Sequence, residues 1–280
     1  LSERDRHIGW DAVTVLDCIT AAPRADDARW MLQRLEDWRG EIFLSDLVAD
    51  GLYREEFWAE PSQDVVSALM DEASSRRLRH QRLGRKADFS RSVQSSDAHW
   101  EERAVTDLYR SKRCELLADL LRCRHALRTL VSTDSTIPDL AEALKLPDVR
   151  RAVRWIARRS KAETVGTEIV DITVCGAIAP YNHLLGGKLV SSLLASPTLV
   201  RAYTRRYGTQ PSEIASSIAG RAVVRPANLV FLGTTSLYGA GASQYNRIRV
   251  PASVLGSSDD IRFRELGRSR SFGPSHLSQD

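Results

Sequence analysis

The chain has 280 residues, of which 42% are hydrophobic and 27% charged, and a formal net charge of +4. That length and apolar content suffice to bury a sizeable core in one large domain or two smaller ones. No apolar run reaches the roughly 18 residues of a membrane-spanning helix and no basic-then-apolar leader opens the chain, so the expectation is no membrane and a cytoplasmic location. Because the chain opens at Leu1, an upstream segment with its own signal stays open. Cys18, Cys114, Cys123 and Cys175 are scattered without a CxxC pair and the histidines lack an HExxH spacing. Reduced thiols and no metal site are therefore expected.

Charge is distributed unevenly. Residues 1–75 hold 7 basic and 17 acidic side chains, whereas residues 76–128 hold 14 basic and 7 acidic. A second basic cluster follows at Arg150, Arg151, Arg154, Arg158, Arg159 and Lys161. Such clustering is either the footprint of a nucleic-acid surface or a set of arginines paired with the acidic N-terminal part.

In chain order, residues 25–70 read as helical, with Trp30, Leu32, Leu35 and Trp38 on one face and Gly40 as a stop. A further helix starts near Pro61 with Val65, Val66, Leu69 and Met70 inward, and residues 76–97 read as an exposed basic connection. Trp100 to Leu130 keeps an apolar 3-to-4 spacing without Pro or Gly, which predicts one helix about 45 Å long. Residues 136–144 and 148–161 are shorter helices, the second turning Val149, Ala152, Val153 and Ile156 inward.

After Gly166 strands and glycine loops dominate, with strands expected over 168–179, 214–224, 228–235, 246–250 and 261–266. Ser196 and Pro197 form an N-cap and first-turn pair for a helix that Gly208 ends. The expected fold class is α+β. A helical region, acidic then basic, occupies residues 1–165, a mixed α/β domain 166–275 and a loose tail 276–280.

Two stretches carry candidate chemistry, DITVCGAIAPYNHLLGGK (171–188) and LVFLGTTSLYGAGASQYNR (229–247). Each is an apolar run leading to small residues and glycines, the pattern of a strand feeding a site at its end. Asn182, Gly186, Gly187 and Lys188 are the candidate anion or cofactor contacts, since paired glycines admit close backbone approach and a lysine follows them. The bland alternative is relief of helix packing. Asp171 inside an apolar strand is either a structural hydrogen-bond partner or a base or metal ligand, and His183 is a candidate acid or base. Thr234 reads as turn chemistry. Tyr238, Tyr245, Asn246, Arg247 and Arg249 combine aromatic faces, an amide and guanidinium groups, a set suited to stacking bases and holding phosphates. Tyr245 alternatively packs half-buried. No GxSxG elbow occurs, which excludes that class of serine hydrolase.

In order, RDRHIGW (4–10), DITVCGAIAPYNHLLGGKLV (171–190), IASSIAGR (214–221), LVFLGTTSLYGAGASQYNRIRV (229–250) and RELGRSRSFG (264–273) resemble the DruA family, formerly catalogued as a domain of unknown function. The resemblance is dense over roughly residues 150–275. It implies a component of Druantia anti-phage defence, acting beside other Druantia proteins that include a helicase-like one, and it supplies no settled reaction. On this basis nucleic acid, DNA foremost, is the expected partner, with Arg154 and Arg158 on the backbone and the Tyr238 to Arg249 set on bases. The strand, glycine loop and helix order also resembles the N-acetyltransferase core. That resemblance implies a nucleotide-containing cofactor held by Asn182 to Lys188 and Tyr245 as general acid. The motif departs from that superfamily's pattern of Gln or Arg, two residues, Gly, one residue, Gly or Ala. With Gly186 aligned to the first glycine, His183 and Lys188 occupy its two ends. A structural adaptor that docks partner proteins through the long helix is the third expectation.

Overall fold

The computed structural model describes residues 12–83, 97–131, 137–173, 175, 178–194, 196–234, 245, 248–256 and 258–265. The chain sorts into two units, one comprising Leu1–Glu163 with Gln210–Arg225 and the other Thr164–Thr209 with Pro226–Asp280. The described residues are mostly helical, with four short strands in two separate pairs.

The first unit contains α1 (Ala12–Ala21), α2 (Ala25–Gly40), α3 (Ser45–Ala49), α4 (Glu55–Ala59), α5 (Gln63–Leu83), α6 (Asp97–Ala104), α7 (Asp107–Ala126), α8 (Ile137–Ala143), most of α9 (Pro147–Glu168) and α12 (Glu213–Ala219). Apolar residues at helical spacing meet here. Trp38 of α2, Leu69 of α5, Leu117, Leu120 and Leu121 of α7, and Ile156 of α9 are all fully buried. Each contributes about 1.5–3 kcal/mol by leaving water. The Trp38 and Trp155 indoles stand nearly perpendicular with ring centroids 5.7 Å apart, a favoured aromatic geometry.

Three expectations change in this unit. The long helix over 100–130 is broken into α6 and α7 at Val105 and Thr106, and ends in a 3₁₀ turn at Arg128–Leu130. The break is held in place: Thr106 is extended (φ −63, ψ 152), its hydroxyl donates to the Arg103 carbonyl at 2.7 Å, and Arg113 donates to the freed Ala104 carbonyl at 2.8 and 3.1 Å. Residues 76–83 are the last two turns of α5 rather than a connection, because α5 packs along α7 and ion pairs tie the two. Residues 214–224, expected as a strand, hold α12 instead. The Ser212 hydroxyl accepts from the Ala215 N–H, and Gly220 at φ 66 closes the helix in a left-handed conformation that favours glycine.

In the second unit, β1 (Ile169–Asp171) pairs in parallel with β2 (Phe231–Gly233), Asp171 standing opposite Gly233. Between them in sequence lie α10 (Asn182–Leu193) and α11 (Pro197–Tyr207). The second pair, β3 (Arg249–Val250) and β4 (Ile261–Arg262), is antiparallel and joined through α13 (Ala252–Leu255). These strands are shorter than the runs expected from sequence. Ser196 caps α11 by accepting from the Leu199 N–H with Pro197 in the first turn, and Gly208 follows its last residue, as the sequence predicts. Among the described residues, no helix is long and apolar enough to cross a membrane.

Candidate functional site

The arginines that make residues 76–128 basic are largely spoken for inside the first unit. Arg113, fully buried, donates to both carboxylate oxygens of Asp46 at 2.7 and 2.8 Å and also to the Phe43 carbonyl. Arg110 divides its three nitrogens among Asp46 at 2.9 Å, Asp50 at 2.6 Å and Glu72 at 2.7 Å. Arg76 pairs with Glu72 and Asp107, Arg77 with Glu115, Arg103 with Glu213, and Arg124 with Glu36. Of the two readings of this basic stretch, these geometries favour pairing with the acidic part. Buried charges require such partners, since an unpaired one is costly to desolvate.

The electrostatics follow the geometry. Burial pushes the Asp46 carboxyl up, but Arg113 and Arg110 together outweigh it and hold the group below its ordinary value of 3.8. Glu72 is likewise pushed up by burial and held below 4.5 by Arg110 and Arg76. Burial pushes the Cys114 thiol up to about 11 and Cys123 to about 12, so both favour the neutral thiol.

In the second unit the parallel strand pair sets the ends of β1 and β2 side by side. The Ile172 N–H donates to the Gly233 carbonyl at 2.8 Å, and the Thr234 hydroxyl donates back to the Ile172 carbonyl at 3.2 Å. Thr234 thus bonds across the strand pair to a residue far away in sequence rather than within a local turn. Asp171 is exposed at the end of β1. The expected burial of its carboxylate in an apolar strand does not occur, because the strand stops at this residue and solvent reaches it.

Asn182, His183, Gly186, Gly187 and Lys188 belong to α10, with Tyr181 at its N-cap. The expected glycine loop is therefore the first two turns of a helix. From Gly186 onward the N–H groups close bonds to carbonyls four residues back, so they are not free to hold an anion. The side chains of Asn182, His183 and Lys188 lie outside the described residues. Beside this helix the Cys175 thiol lies 3.4 Å from the buried Ser191 hydroxyl. Among the described residues, no cluster of three His, Cys, Asp or Glu side chains is placed to hold a metal ion.

Tyr238, Asn246 and Arg247 lie outside the described residues. Tyr245 is half-buried, its ring centroid 5.1 Å from that of Phe263, which favours its packing role. Arg249 is exposed but grips Asp260 through two nitrogens, each at 2.5 Å. The Ala252 N–H and Arg249 together hold the Asp260 carboxyl below its ordinary value. Arg154 on α9 is half-buried and Arg158 exposed, and neither forms an ion pair among the described residues.

Helix α11 carries residues the sequence reading passed over. Arg201, Arg205 and Arg206 are all exposed, and none has an ion pair among the described residues. The signal was present in PTLVRAYTRRY, an eleven-residue helix with three arginines and no carboxylate.

A family model described as Druantia protein DruA matches residues 142–279. A curated relative named Druantia protein DruA, from Escherichia coli (strain UMEA 4076-1), is 32% identical over 110 residues, which cover 39% of this chain and 24% of the relative. The match thus spans about a quarter of that relative's length. No solved structure matches the chain. The strand pairs of the second unit, together with α10 and α11, all fall inside the matched residues, so the likeness to the DruA family rests on residues 142–279 of this chain.

Proposed function

We propose that the chain is a nucleic-acid-binding component of a Druantia-type anti-phage defence assembly, acting with other Druantia proteins that include a helicase-like one. The family supports the defence role. One observation supports the nucleic-acid role: the first unit contains 30 basic and 30 acidic residues, whereas the second contains 10 basic and 6 acidic, so the whole net charge of +4 falls on the second. A surplus of arginines over carboxylates attracts a polyanion and releases its counterions on binding. Fluorescence anisotropy with labelled single- and double-stranded DNA tests the reading. Binding should appear at low salt and weaken steeply between about 50 and 200 mM. Absence of binding to both substrates at about 50 mM salt refutes it.

A second reading, an acetyltransferase-like enzyme using a nucleotide-containing cofactor, is favoured by the parallel pairing of β1 and β2 with α10 between them in sequence. Its demands are sharper than before, since only the N–H groups of the first turn of α10 remain to meet a pyrophosphate. A thermal-shift measurement with acetyl-CoA decides it, because a ligand specific to the native state raises the unfolding midpoint. An unchanged midpoint at saturating cofactor removes the reading.

A further inference from the structure

We infer that α11 is a backbone-contact helix, whose Arg201, Arg205 and Arg206 engage the phosphodiester backbone of a nucleic acid. This rests on the nucleic-acid reading above and names where the contact is made.

The helix is pinned by one side. The Tyr203 hydroxyl donates to the Thr167 carbonyl at 3.0 Å, and the Thr204 hydroxyl donates to the Ala227 carbonyl at 3.0 Å. The Tyr203 ring also meets that of Tyr207, with centroids 4.9 Å apart. At about 100° per residue, Arg201 and Arg205 lie one turn apart on the side away from these anchors, with Arg206 flanking them. All three side chains are exposed and, among the described residues, unpaired.

That arrangement differs from every well-buried arginine of the first unit described above. Arg103, Arg110 and Arg113 each meet a carboxylate within 3 Å. Helix α11 contains no carboxylate to do the same. Stabilisation of the helix dipole accounts for Arg205 and Arg206, which stand in the last turn. It does not account for Arg201, which sits in the middle of the helix beyond the reach of that effect. A guanidinium on an exposed, rigidly anchored face is suited to bidentate contact with phosphate oxygens. Contacts of this kind position a protein on nucleic acid without reading its sequence.

The test compares four versions of the 280-residue chain on a labelled DNA duplex across a salt series: the wild type, R201Q/R205Q/R206Q, R201K/R205K/R206K and R77Q/R122Q. Each lost phosphate contact should reduce the slope of log affinity against log salt by about 1, so the triple Gln variant should lose about 3. The Lys variant should keep the wild-type slope, since it keeps the charge. R77Q/R122Q, whose arginines already pair with Glu115 and Asp119, should also keep it. Superimposable thermal unfolding curves establish that the fold is intact, and Arg201→Gln alone, losing about 1 in slope, carries the test should the triple variant unfold. A triple Gln variant with the wild-type slope overturns the inference and leaves the nucleic-acid reading standing. A Lys variant that loses as much slope as the Gln variant overturns it equally. A wild type that binds no DNA at low salt overturns both.

Discussion

Arg113 has no solvent exposure and holds both oxygens of Asp46, at 2.7 and 2.8 Å. The same guanidinium takes the carbonyl of Ala104, the last residue of α6. One side chain therefore neutralises an acid on α3 and closes the gap between two helices. Arg113→Ala should destabilise the first unit by about 3–5 kcal/mol, because Asp46 loses its main partner while remaining half-buried. Chemical denaturation reads this directly. Glu213→Gln, which leaves the buried Arg103 an amide acceptor and the Tyr109 hydroxyl in place of a carboxylate, should cost less, about 1–3 kcal/mol. Equal losses in the two variants would contradict the assignment of Arg113 as the central pair.

Acid should loosen the same unit. Asp46 and Glu72 both have folded pKa values held below their ordinary 3.8 and 4.5, so each contributes stability that is fully present above those values. That contribution is lost as pH falls below them through the depressed folded values. The unfolding midpoint should therefore drop from about pH 5 downward, and Asp46→Asn should lower the midpoint at neutral pH and make the acid decline shallower. An unchanged acid profile in Asp46→Asn would contradict the pairing.

Thiol chemistry should divide the cysteines. Cys114 and Cys123 are buried with pKa values pushed up to about 11 and about 12, whereas Cys18 and Cys175 are only partly buried. A thiol-exchange reagent near neutral pH should label Cys18 and Cys175 in the native protein and reach Cys114 and Cys123 only on unfolding. Mass spectrometry of the labelled peptides distinguishes the two sets, and early labelling of Cys123 would contradict its placement.

Gly220 and Gly51 both have positive φ, 66 and 71, but only at Gly220 would a Cβ collide, lying 2.6 Å from Cδ2 of the Phe43 ring. Gly51→Ala should cost about 1 kcal/mol from backbone strain alone. Gly220→Ala should cost clearly more, since Phe43 must move while its carbonyl serves Arg113 and its N–H the Ile218 carbonyl. Denaturation midpoints of the two variants make the comparison.

What could be read from sequence was what local chemistry decides. The caps of α11 at Ser196 and Gly208, the inward face of α9 and the glycine stop of α2 all follow from residues within a few positions of one another. The break between α6 and α7 was illegible because the apolar spacing continues across it and the feature that fixes it, Arg113 reaching back to Ala104, is a tertiary contact. Helix α12 was mistaken for a strand because IASSIAG mixes isoleucines with small residues, while its Ser212 and Gly220 caps were overlooked. The basic stretch from Arg76 to Arg128 overstated a surface for the same kind of reason: composition counts charges, but only geometry shows that Asp46, Asp50 and Glu72 already answer them. The glycine pair at 186–187 marked a real element and the wrong part of it, a helix body rather than a loop.

Helix α11, rather than the arginines of the first unit's ion-pair network, is proposed to hold the phosphate contact. Arginine-directed labelling with phenylglyoxal, with and without bound duplex DNA and read by mass spectrometry, tests it most directly. Arg201, Arg205 and Arg206 should label readily in the free protein and become protected by DNA, while Arg110 and Arg113 resist labelling in both states. Protection that falls on Arg77, Arg79 and Arg122 and leaves α11 unchanged would contradict it.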